Sequence, residues 1–233
     1  MNQIHNLNEE SDRISVVMLG ASGAVGQMVL EALFAVKREV NILALGRKAV
    51  SLPPNERLQQ QVVDVTDPQT YQKYLEGKQV AICTFGVGQP SKISQAEFLK
   101  FDKDVVIDFA ISCKKAGVKH FQLLGSVGAN HRSRSFYLRT KGELQNALIE
   151  LKFERLSIFQ PSMILTPTNR YGFLQGLTLV VWPMLNFLLL GSLRQFRGVK
   201  VKTLGLAIAH NIFTKGKSVE LLTWLDFNAM LNE

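Results

Sequence analysis

The sequence predicts an α/β fold, a Rossmann-like doubly wound parallel sheet with helices on both faces, and three observations support this fold class. The run from Ile14 to Gly20 is short, apolar and rich in β-branched residues, as expected of a strand buried on both faces. Glycines follow it, and then an apolar stripe with helical spacing runs from Val25 to Val36. Farther along the chain, apolar runs alternate with helical patterns, which is typical of a parallel sheet.

The same alternation predicts each later element. After the first strand and helix, apolar runs predict further strands at 41–47, 60–65, 79–86, 120–126 and 155–161. Helical patterns separate most of them, at 68–76, 95–116 and 136–151. Beyond Pro161 we expect a helix at 203–213 and a short strand at 219–222 that returns to the sheet. We therefore divide one structural domain into a flexible tail at 1–13, a cofactor-binding core at 14–161 and a C-terminal cap and substrate region at 162–233.

Charge is unevenly distributed along this chain of 233 residues, which is 46% hydrophobic and carries a net charge of +8. The positive excess lies between Arg155 and Val219, where eight Lys and Arg residues occur without any Asp or Glu. Such a segment favours an anionic cofactor, substrate or membrane surface. It is mainly apolar, whereas a nucleic-acid reader usually shows a basic helix with interleaved aromatic residues, so we expect no nucleic-acid partner.

The cysteines and histidines bear on compartment and metal binding. Two cysteines, Cys83 and Cys113, follow a polar N-terminus, so we expect a reduced, cytoplasmic protein. The four histidines are scattered and do not pair with the cysteines, so we expect no metal site. Cys83 lies inside an apolar strand with no basic neighbour, which favours core packing over a role as a nucleophile.

The segment that joins the first strand to the first helix carries the strongest motif, Gly20, Ala21, Ser22, Gly23, Ala24, Val25 and Gly26. Glycine lets the backbone approach a pyrophosphate closely, and a helix N-terminus offers oriented N–H groups and a partial positive charge. A plain glycine turn is the alternative, but the strand before it and the helix after it favour dinucleotide binding. The spacing G-x-x-G-x-x-G resembles that of the short-chain dehydrogenase/reductase superfamily, in its extended or atypical branch.

Two cations, Arg47 and Lys48, end the second strand roughly twenty residues past the glycines, where NAD enzymes usually carry an acid for the ribose 2′-hydroxyl. A guanidinium donates paired hydrogen bonds to a 2′-phosphate, whereas an acid would repel it. The sequence therefore favours NADP over NAD. A solvated pair of cations after a strand is the alternative.

The resemblance implies further cofactor contacts. Asp64 and Val65 close the third strand, where the superfamily's acid meets the adenine amino group, although Asp64 is also suited to cap the next turn. Phe85 and Gly86 lie in the loop after the fourth strand, which in the superfamily passes beside the ribose and nicotinamide. Pro161 follows Gln160 where relatives often have Arg-Pro-Gly, and it is implied to pack near the nicotinamide.

The resemblance also implies a catalytic set of Ser126, Tyr137 and Lys141. Tyr137 and Lys141 match the superfamily's Y-x-x-x-K, a spacing that puts both side chains on one helix face. A phenol has an ordinary pKa of about 10, and a nearby ammonium favours its phenolate form. Tyr137 would protonate the developing alkoxide, Lys141 would tune Tyr137 and hold the ribose, and Ser126 would hydrogen-bond the substrate carbonyl. The alternative for each is an ordinary surface helix or loop.

Two features complicate this catalytic set. A second match to the motif, from Tyr74 to Lys78, lies before the fourth strand, on the wrong side of the cofactor in this topology. The helix predicted at 95–116 contains no asparagine, so the asparagine of the superfamily's usual proton relay has no counterpart. Proton supply would then run through water or another group.

A closer likeness is to the atypical reductases of the Tat-interacting protein family. It rests on the segments HFQLLGSVGA at 120–129, Tyr137-Leu138 with Lys141-Gly142-Glu143, and Leu151-Lys152-Phe153. The likeness covers roughly 14–161. It implies NADP binding with the Ser/Tyr/Lys set, in a family associated with regulation as well as reduction.

The stretch 171–193 carries no formal charge, and its length alone would permit a membrane span. Pro183 and three glycines interrupt it, and the elements after it must rejoin the same sheet, so we expect a cap over the nicotinamide. A homodimer surface, or peripheral membrane contact through 171–202, is the alternative.

Together these features predict an NADP(H)-dependent oxidoreductase that acts on a carbonyl or alcohol, and the apolar cap suggests a hydrophobic substrate. The alternative is a non-catalytic redox sensor that binds NADP(H) and acts through a protein partner or a membrane surface. Tyr137 and Lys141 favour the enzyme, since a sensor needs no proton donor, whereas the missing asparagine favours the sensor.

Overall fold

The strands of the computed structural model, which describes residues 13–88, 90–166 and 189–231, form one large parallel sheet and one small one. They are β1 (Ile14–Leu19), β2 (Val40–Gly46), β3 (Leu58–Val62), β4 (Val80–Cys83), β5 (His120–Leu124), β6 (Arg155–Phe159), β7 (Ile164–Leu165), β8 (Val199–Lys200) and β9 (Val219–Leu222). Within the described residues, seven strands lie in the order β3-β2-β1-β4-β5-β6-β9, and β7 pairs with β8. The predicted Rossmann-like fold class is confirmed.

Helices cover both faces of the large sheet. They are α1 (Ala24–Ala35), α2 (Gln95–Leu99), α3 (Val105–Lys115), α4 (Phe136–Glu150), α5 (Val201–Asn211) and α6 (Trp224–Ala229). A π-helical turn, Lys100–Asp104, joins α2 to α3, so the predicted helix at 95–116 contains one wider turn in its first half. Single-turn 3₁₀ segments lie at 68–70, 72–74 and 90–92, and a longer one lies at 191–196.

Several predicted boundaries are corrected. The third strand is Leu58–Val62 rather than 60–65, so Asp64 and Val65 follow the strand instead of closing it. The helix predicted at 68–76 is two short 3₁₀ turns, the first of which is capped by the Asp67 carboxylate. The helix predicted at 203–213 begins at Val201 and ends at Asn211. The β7–β8 pair was not predicted, because strands of two residues carry no readable periodicity.

Alternate residues of the central strands enter two separate cores. Val16 and Met18 of β1 face α1 and α5, whereas Val17 and Leu19 face α3 and α4. In the central strands both faces are buried, which explains their continuous apolar runs. The larger buried side chains of the second core include Phe109, Phe121 and Leu148.

Residues after Pro161 contribute directly to the sheet and its layers. β9 pairs in parallel with β6 at one edge of the sheet, from Leu156 opposite Val219 to Phe159 opposite Leu222. α5 packs against α1, and Gly205 permits this close approach because a Cβ there would lie 2.4 Å from the Cβ of Met28. The C-terminal segment therefore shares the core with the N-terminal half of the chain.

The chain changes direction across the sheet between β1 and β4. From β1 it proceeds outward to β2 and β3, and then it returns to β4, which pairs with the other side of β1. Such a switch point opens a crevice at the carboxyl ends of the two central strands, where doubly wound sheets bind ligands.

The described residues contain no helix that is both long and apolar enough to cross a membrane. Most of the uncharged stretch at 171–193, and with it the predicted cap, dimer surface or membrane contact, lies outside the described residues.

Candidate active site

The glycine turn sits at the switch point, where three segments meet. Gly20 has a φ of +94°, and a Cβ there would lie 2.4 Å from the backbone nitrogen of Phe85, in the loop after β4. A Cβ on Gly26, in the first turn of α1, would lie 2.3 Å from the carbonyl oxygen of Gly20. Any side chain at either position would therefore push α1 or the β4 loop away from the turn.

The N-terminus of α1 is left open to an anion. Its N-cap is Gly23, which has no side chain to accept hydrogen bonds from the first turn, and that turn carries no acid. The free N–H groups and the partial positive charge of the helix therefore face whatever lies above the turn.

A cavity of about 380 Å³ opens beside this turn. Its walls are the glycine turn, the end of β2 with the residues after it, two glutamines of β3 and Phe85, that is Gly20–Ser22, Ala44–Val50, Gln60, Gln61 and Phe85. Arg47 and Lys48 are exposed at its wall, and the Arg47 guanidinium lies 5.6 Å from the ring centroid of Phe101. An open helix N-terminus beside two cations fits the anionic groups of a dinucleotide.

Asp64 is engaged with its own turn. Its Oδ1 accepts hydrogen bonds from the backbone nitrogen and the hydroxyl of Thr66 at 2.9 and 2.8 Å, and these bonds lower the pKa of Asp64 below its ordinary value. The capping role considered for Asp64 is therefore present in the structure. The side chain of Val65 is buried in the core, and neither residue lines the cavity. Their contact with an adenine stays a prediction.

The loop after β4 links the cavity to α4. The Thr84 hydroxyl donates to the carbonyl oxygen of Gly20 at 3.0 Å, which holds the loop against the glycine turn. Phe85 faces the cavity and lies edge-on to Phe101 at 6.4 Å between ring centroids. Two residues later, the Val87 backbone nitrogen donates to Asp102 Oδ2 at 2.6 Å.

The loop after β5 places Ser126 at the same edge of the sheet. The Gly125 nitrogen donates to the Phe159 carbonyl at 2.7 Å, and the Val127 nitrogen donates to the Pro161 carbonyl at 3.0 Å. Ser126 is thereby held between two bonds to the end of β6. Its hydroxyl makes a long bond of 3.4 Å to its neighbour's carbonyl, which competes weakly with a ligand.

Helix α4 docks on the loop that carries Ser126. Gly142 makes this contact possible, because a Cβ there would lie 2.2 Å from the backbone of Asn130. The Asn130 nitrogen also donates to the Leu138 carbonyl at 3.0 Å. Tyr137, in the first turn of α4, is half-buried and packs its ring against Phe98 of α2 at 5.6 Å between centroids. The structure thus brings the helix of Tyr137 and Lys141 against the loop of Ser126.

Lys141 has a partner that the sequence analysis missed. Its Nζ lies 2.6 Å from Oδ1 of Asp102, which belongs to the π-helical turn, and the two side chains are 8% and 3% exposed. The charge expected to tune Tyr137 is therefore balanced by a buried carboxylate. The sequence did contain an indication, because Asp102 stands four residues after buried Phe98 and three before buried Val105, where an apolar side chain is normal.

The competing motif residues lie elsewhere. Tyr74 and Lys78 precede β4 and therefore lie at the amino edge of the sheet, away from the glycine turn, and burial lowers the pKa of Lys78. Cys83 is fully buried in β4, and burial raises the pKa of its thiol to about 12, as expected of a core residue.

Comparison with known proteins gives concordant matches. Residues 20–156 match the model of the family described as NAD(P)H-binding. Rat protein HTATIP2 is 34% identical over 153 residues, which are 65% of this chain and 63% of that protein, so the match spans less than two thirds of the relative. MoeE5 in complex with UDP-glucuronic acid and NAD superposes with a TM-score of 0.70 at 15% identity, covering 89% of this chain and 75% of MoeE5. The oxidoreductase ylbE from Lactococcus lactis gives a TM-score of 0.62 at 19% identity, with coverage of 94% and 98%.

Proposed function

The chain belongs to the NAD(P)H-binding family, and on that premise we propose that it is an NADP(H)-dependent oxidoreductase of the short-chain dehydrogenase/reductase type. Its substrate would be a hydrophobic carbonyl or alcohol. The resemblance to the short-chain superfamily and to the Tat-interacting protein family, expected from the sequence, is confirmed by the family and relative matches. We propose the oxidoreductase activity, the preference for a cofactor that carries a 2′-phosphate, and the hydrophobic carbonyl or alcohol substrate.

One observation carries the choice of NADP, namely that Arg47 and Lys48 line the cavity next to the glycine turn. Either cation can pair with a 2′-phosphate, and the planar guanidinium of Arg47 can do so through two parallel hydrogen bonds. The end of β2 carries no carboxylate that would accept bonds from a ribose 2′-hydroxyl. The ring of Phe101 beneath the guanidinium supports Arg47 from the side of the π-helical turn.

The remaining roles follow from where the side chains lie. The N–H groups at Gly20 to Gly26 would hold the pyrophosphate, and Phe85 and Gly86 would border the middle of the cofactor. When bound, NADP(H) supplies or accepts a hydride. Ser126 would orient the substrate oxygen through a hydrogen bond, Tyr137 would donate the proton to it, and Lys141 would bind the ribose beside Tyr137. Pro161 would close the far end of the site.

A titration of protein fluorescence with NADPH and with NADH tests the cofactor part. We expect NADPH to bind at least tenfold more tightly than NADH, because only NADPH carries the 2′-phosphate. Equal affinities for both would remove the NADP assignment, and binding of neither would remove the proposed function.

Turnover of a panel of hydrophobic aldehydes and ketones with NADPH tests the catalytic part. The Tyr137→Phe variant should keep its NADPH affinity and lose turnover by at least a hundredfold, as general-acid variants do. Tyr74→Phe is the matched control, because Tyr74 begins the same motif at the opposite edge of the sheet. Tight NADPH binding with no turnover of any substrate would favour the sensor alternative. The cytoplasmic location and the homodimer or membrane contact through 171–202 stay predictions.

A further inference from the structure

The π-helical turn Lys100–Asp104 places a carboxylate in the protein interior. Asp102 is 2% exposed, although it lies in a helical segment that begins at the surface. A buried carboxylate is costly unless it is paired and hydrogen-bonded. The contacts of Asp102 therefore indicate the role of the π-helical turn.

Two segments converge on Asp102. Its Oδ1 accepts a hydrogen bond from Lys141 Nζ of α4 at 2.6 Å, and its Oδ2 accepts one from the Val87 nitrogen of the β4 loop, also at 2.6 Å. Gly86 leaves the room for this arrangement, since a Cβ there would lie 3.0 Å from Oδ1. One carboxylate thus ties the expected cofactor-binding loop to the expected ribose-binding lysine.

The same turn also reaches the other end of the site. Phe101, the residue before Asp102, contacts both Arg47 and Phe85, and Phe85 lines the cavity. A wider helical turn lets neighbouring residues point in directions that a regular α-helix would not allow, and π-turns occur often at functional sites. The turn therefore contacts Arg47, at one end of the cavity, through Phe101, and it contacts Lys141 through Asp102.

We propose that Asp102 is a positioning residue that acts through Lys141, holding its ammonium in place. This inference rests on the proposed function. Both side chains are buried, so removing the carboxylate would leave the Lys141 ammonium in the protein interior without its partner. The ion pair also uses one of the three N–H donors of the ammonium and leaves two for the ribose.

The Asp102→Asn variant tests the inference through NADPH affinity measured from pH 6 to pH 9. The amide keeps the shape of the side chain and removes its charge. We expect the NADPH dissociation constant to rise about tenfold over the whole of this range, because the buried ammonium then lacks the partner that holds it. Asp104→Asn is the matched control, because it removes an exposed carboxylate from the same turn and should leave the whole pH profile unchanged.

A double-variant cycle separates positioning from general support of the fold. In a Lys141→Met background, adding Asp102→Asn should change the NADPH dissociation constant less than twofold, because Asp102 then has nothing to act on. The double variant also keeps the test open if Asp102→Asn alone does not fold, since it removes both buried charges together.

The possible outcomes distinguish a failure of this inference from a failure of the proposed function. If Asp102→Asn binds NADPH like the wild type at every pH, or if the substitution costs as much affinity in the Lys141→Met background as in the wild type, Asp102 does not act through Lys141. In either case NADPH binding by the wild type would still stand. If the wild type itself binds no NADPH, the proposed function and this inference both fall.

Discussion

The two edges of the large sheet bury the same kinds of side chain and leave them in different states. At the carboxyl edge lie a lysine–aspartate pair, Lys141 and Asp102, and a serine, Ser126. Toward the amino edge lie an arginine–glutamate pair, Arg155 and Glu220, with Ser157 and His120. Composition alone would make either group a candidate site.

In the amino-edge network the protein itself supplies the hydrogen-bond partners of Arg155, Ser157 and Glu220. Glu220 Oε2 accepts from Arg155 Nε at 2.9 Å and from the Ser157 hydroxyl at 2.7 Å. The Ser157 hydroxyl donates its only proton to Glu220. In the hydrogen bond of 2.9 Å between His120 Nε2 and Ser157 Oγ, His120 must therefore be the donor. Arg155 also donates to the Asn211 carbonyl at 3.1 Å. This network joins β5, β6, β9 and α5.

The carboxyl edge keeps binding capacity for a ligand. The first N–H groups of α1 face no side-chain cap, the Ser126 hydroxyl has a long bond of 3.4 Å, and Arg47 is exposed beside a cavity. Residue type alone therefore does not distinguish a ligand-binding site from a structural hydrogen-bond network. The two differ in whether other groups of the protein already occupy the hydrogen-bond donors and acceptors of these side chains.

The largest expected effect comes from breaking the amino-edge network. Glu220→Ala leaves Arg155 and Ser157 buried without their acceptor, which costs about 3 kcal/mol of unfolding free energy. Denaturant unfolding measures this loss. Glu154→Ala is the control, because Glu154 pairs with Lys119 in an exposed ion pair of 3.6 Å that contributes little. A folded Glu220→Ala variant that had lost NADPH affinity would mean that the amino edge is part of the site.

Reversing a charge at the open edge should act on binding and leave stability alone. Arg47→Glu replaces an exposed cation at the cavity with an anion, so NADPH affinity should fall about thirtyfold while NADH affinity changes little. Paired fluorescence titrations measure the ratio. Arg57→Glu is less suitable as a control, because Arg57 donates to the Val36 carbonyl; Lys73→Glu, on the exposed 3₁₀ turn, is the better one. A parallel loss for NADH would show that Arg47 does not read the 2′-phosphate.

The amino edge should also produce a pH dependence of stability. Burial and the nearby Arg155 charge lower the pKa of His120 from 6.5 to about 3, so the histidine stays neutral when folded. Below pH 6.5 the unfolded chain takes up a proton that the folded chain does not. The unfolding free energy therefore falls as pH drops from 6.5 toward 3, by up to about 1.4 kcal/mol per pH unit from this residue.

His120→Asn should flatten that part of the profile, measured by urea unfolding between pH 7 and pH 5. Burial alone would raise the pKa of Glu220, but hydrogen bonds from Ser157 and Arg155 lower it overall, so Glu220 loses its charge only at more acid pH. Its contribution is thus separable from that of His120. Identical slopes for the variant and the wild type would show that His120 is not kept neutral.

The smallest expected effect sharpens the comparison at the glycine turn. Thr84→Val removes the 3.0 Å bond to the Gly20 carbonyl, which should cost about 1 kcal/mol of stability and weaken NADPH binding severalfold. Ser112→Ala is the control, because its hydroxyl also donates to a backbone carbonyl, that of Asp108 in α3. Equal NADPH affinity for the two variants would show that Thr84 does not help to shape the site.

Much of the fold was predictable because its determinants are local. The apolar runs of β1 and β4 and the stripe of α1 carry the alternation by themselves, and the glycine spacing indicates the turn between them. The boundaries of β3 were misplaced because its pattern LQQQV is polar and its place depends on pairing with β2.

The site was less predictable because part of it depends on contacts across the fold. Ser126, Tyr137 and Lys141 were proposed from spacing and resemblance, whereas Asp102 belongs to no motif. Its role became visible only when the helix register around the π-helical turn showed it facing Lys141, which is 39 residues away in the sequence. An acid on an apolar stripe is the one local indication of such a partner.

The contact of Gly205 with Met28 has a consequence for how this chain is made. These residues are 177 positions apart, yet their helices cover the same face of the sheet. As the chain leaves the ribosome, the apolar side of α1 stays uncovered until α5 has been synthesised. A shortened chain that ends before α5 should therefore expose the apolar side of α1, even though it contains every residue of the glycine turn.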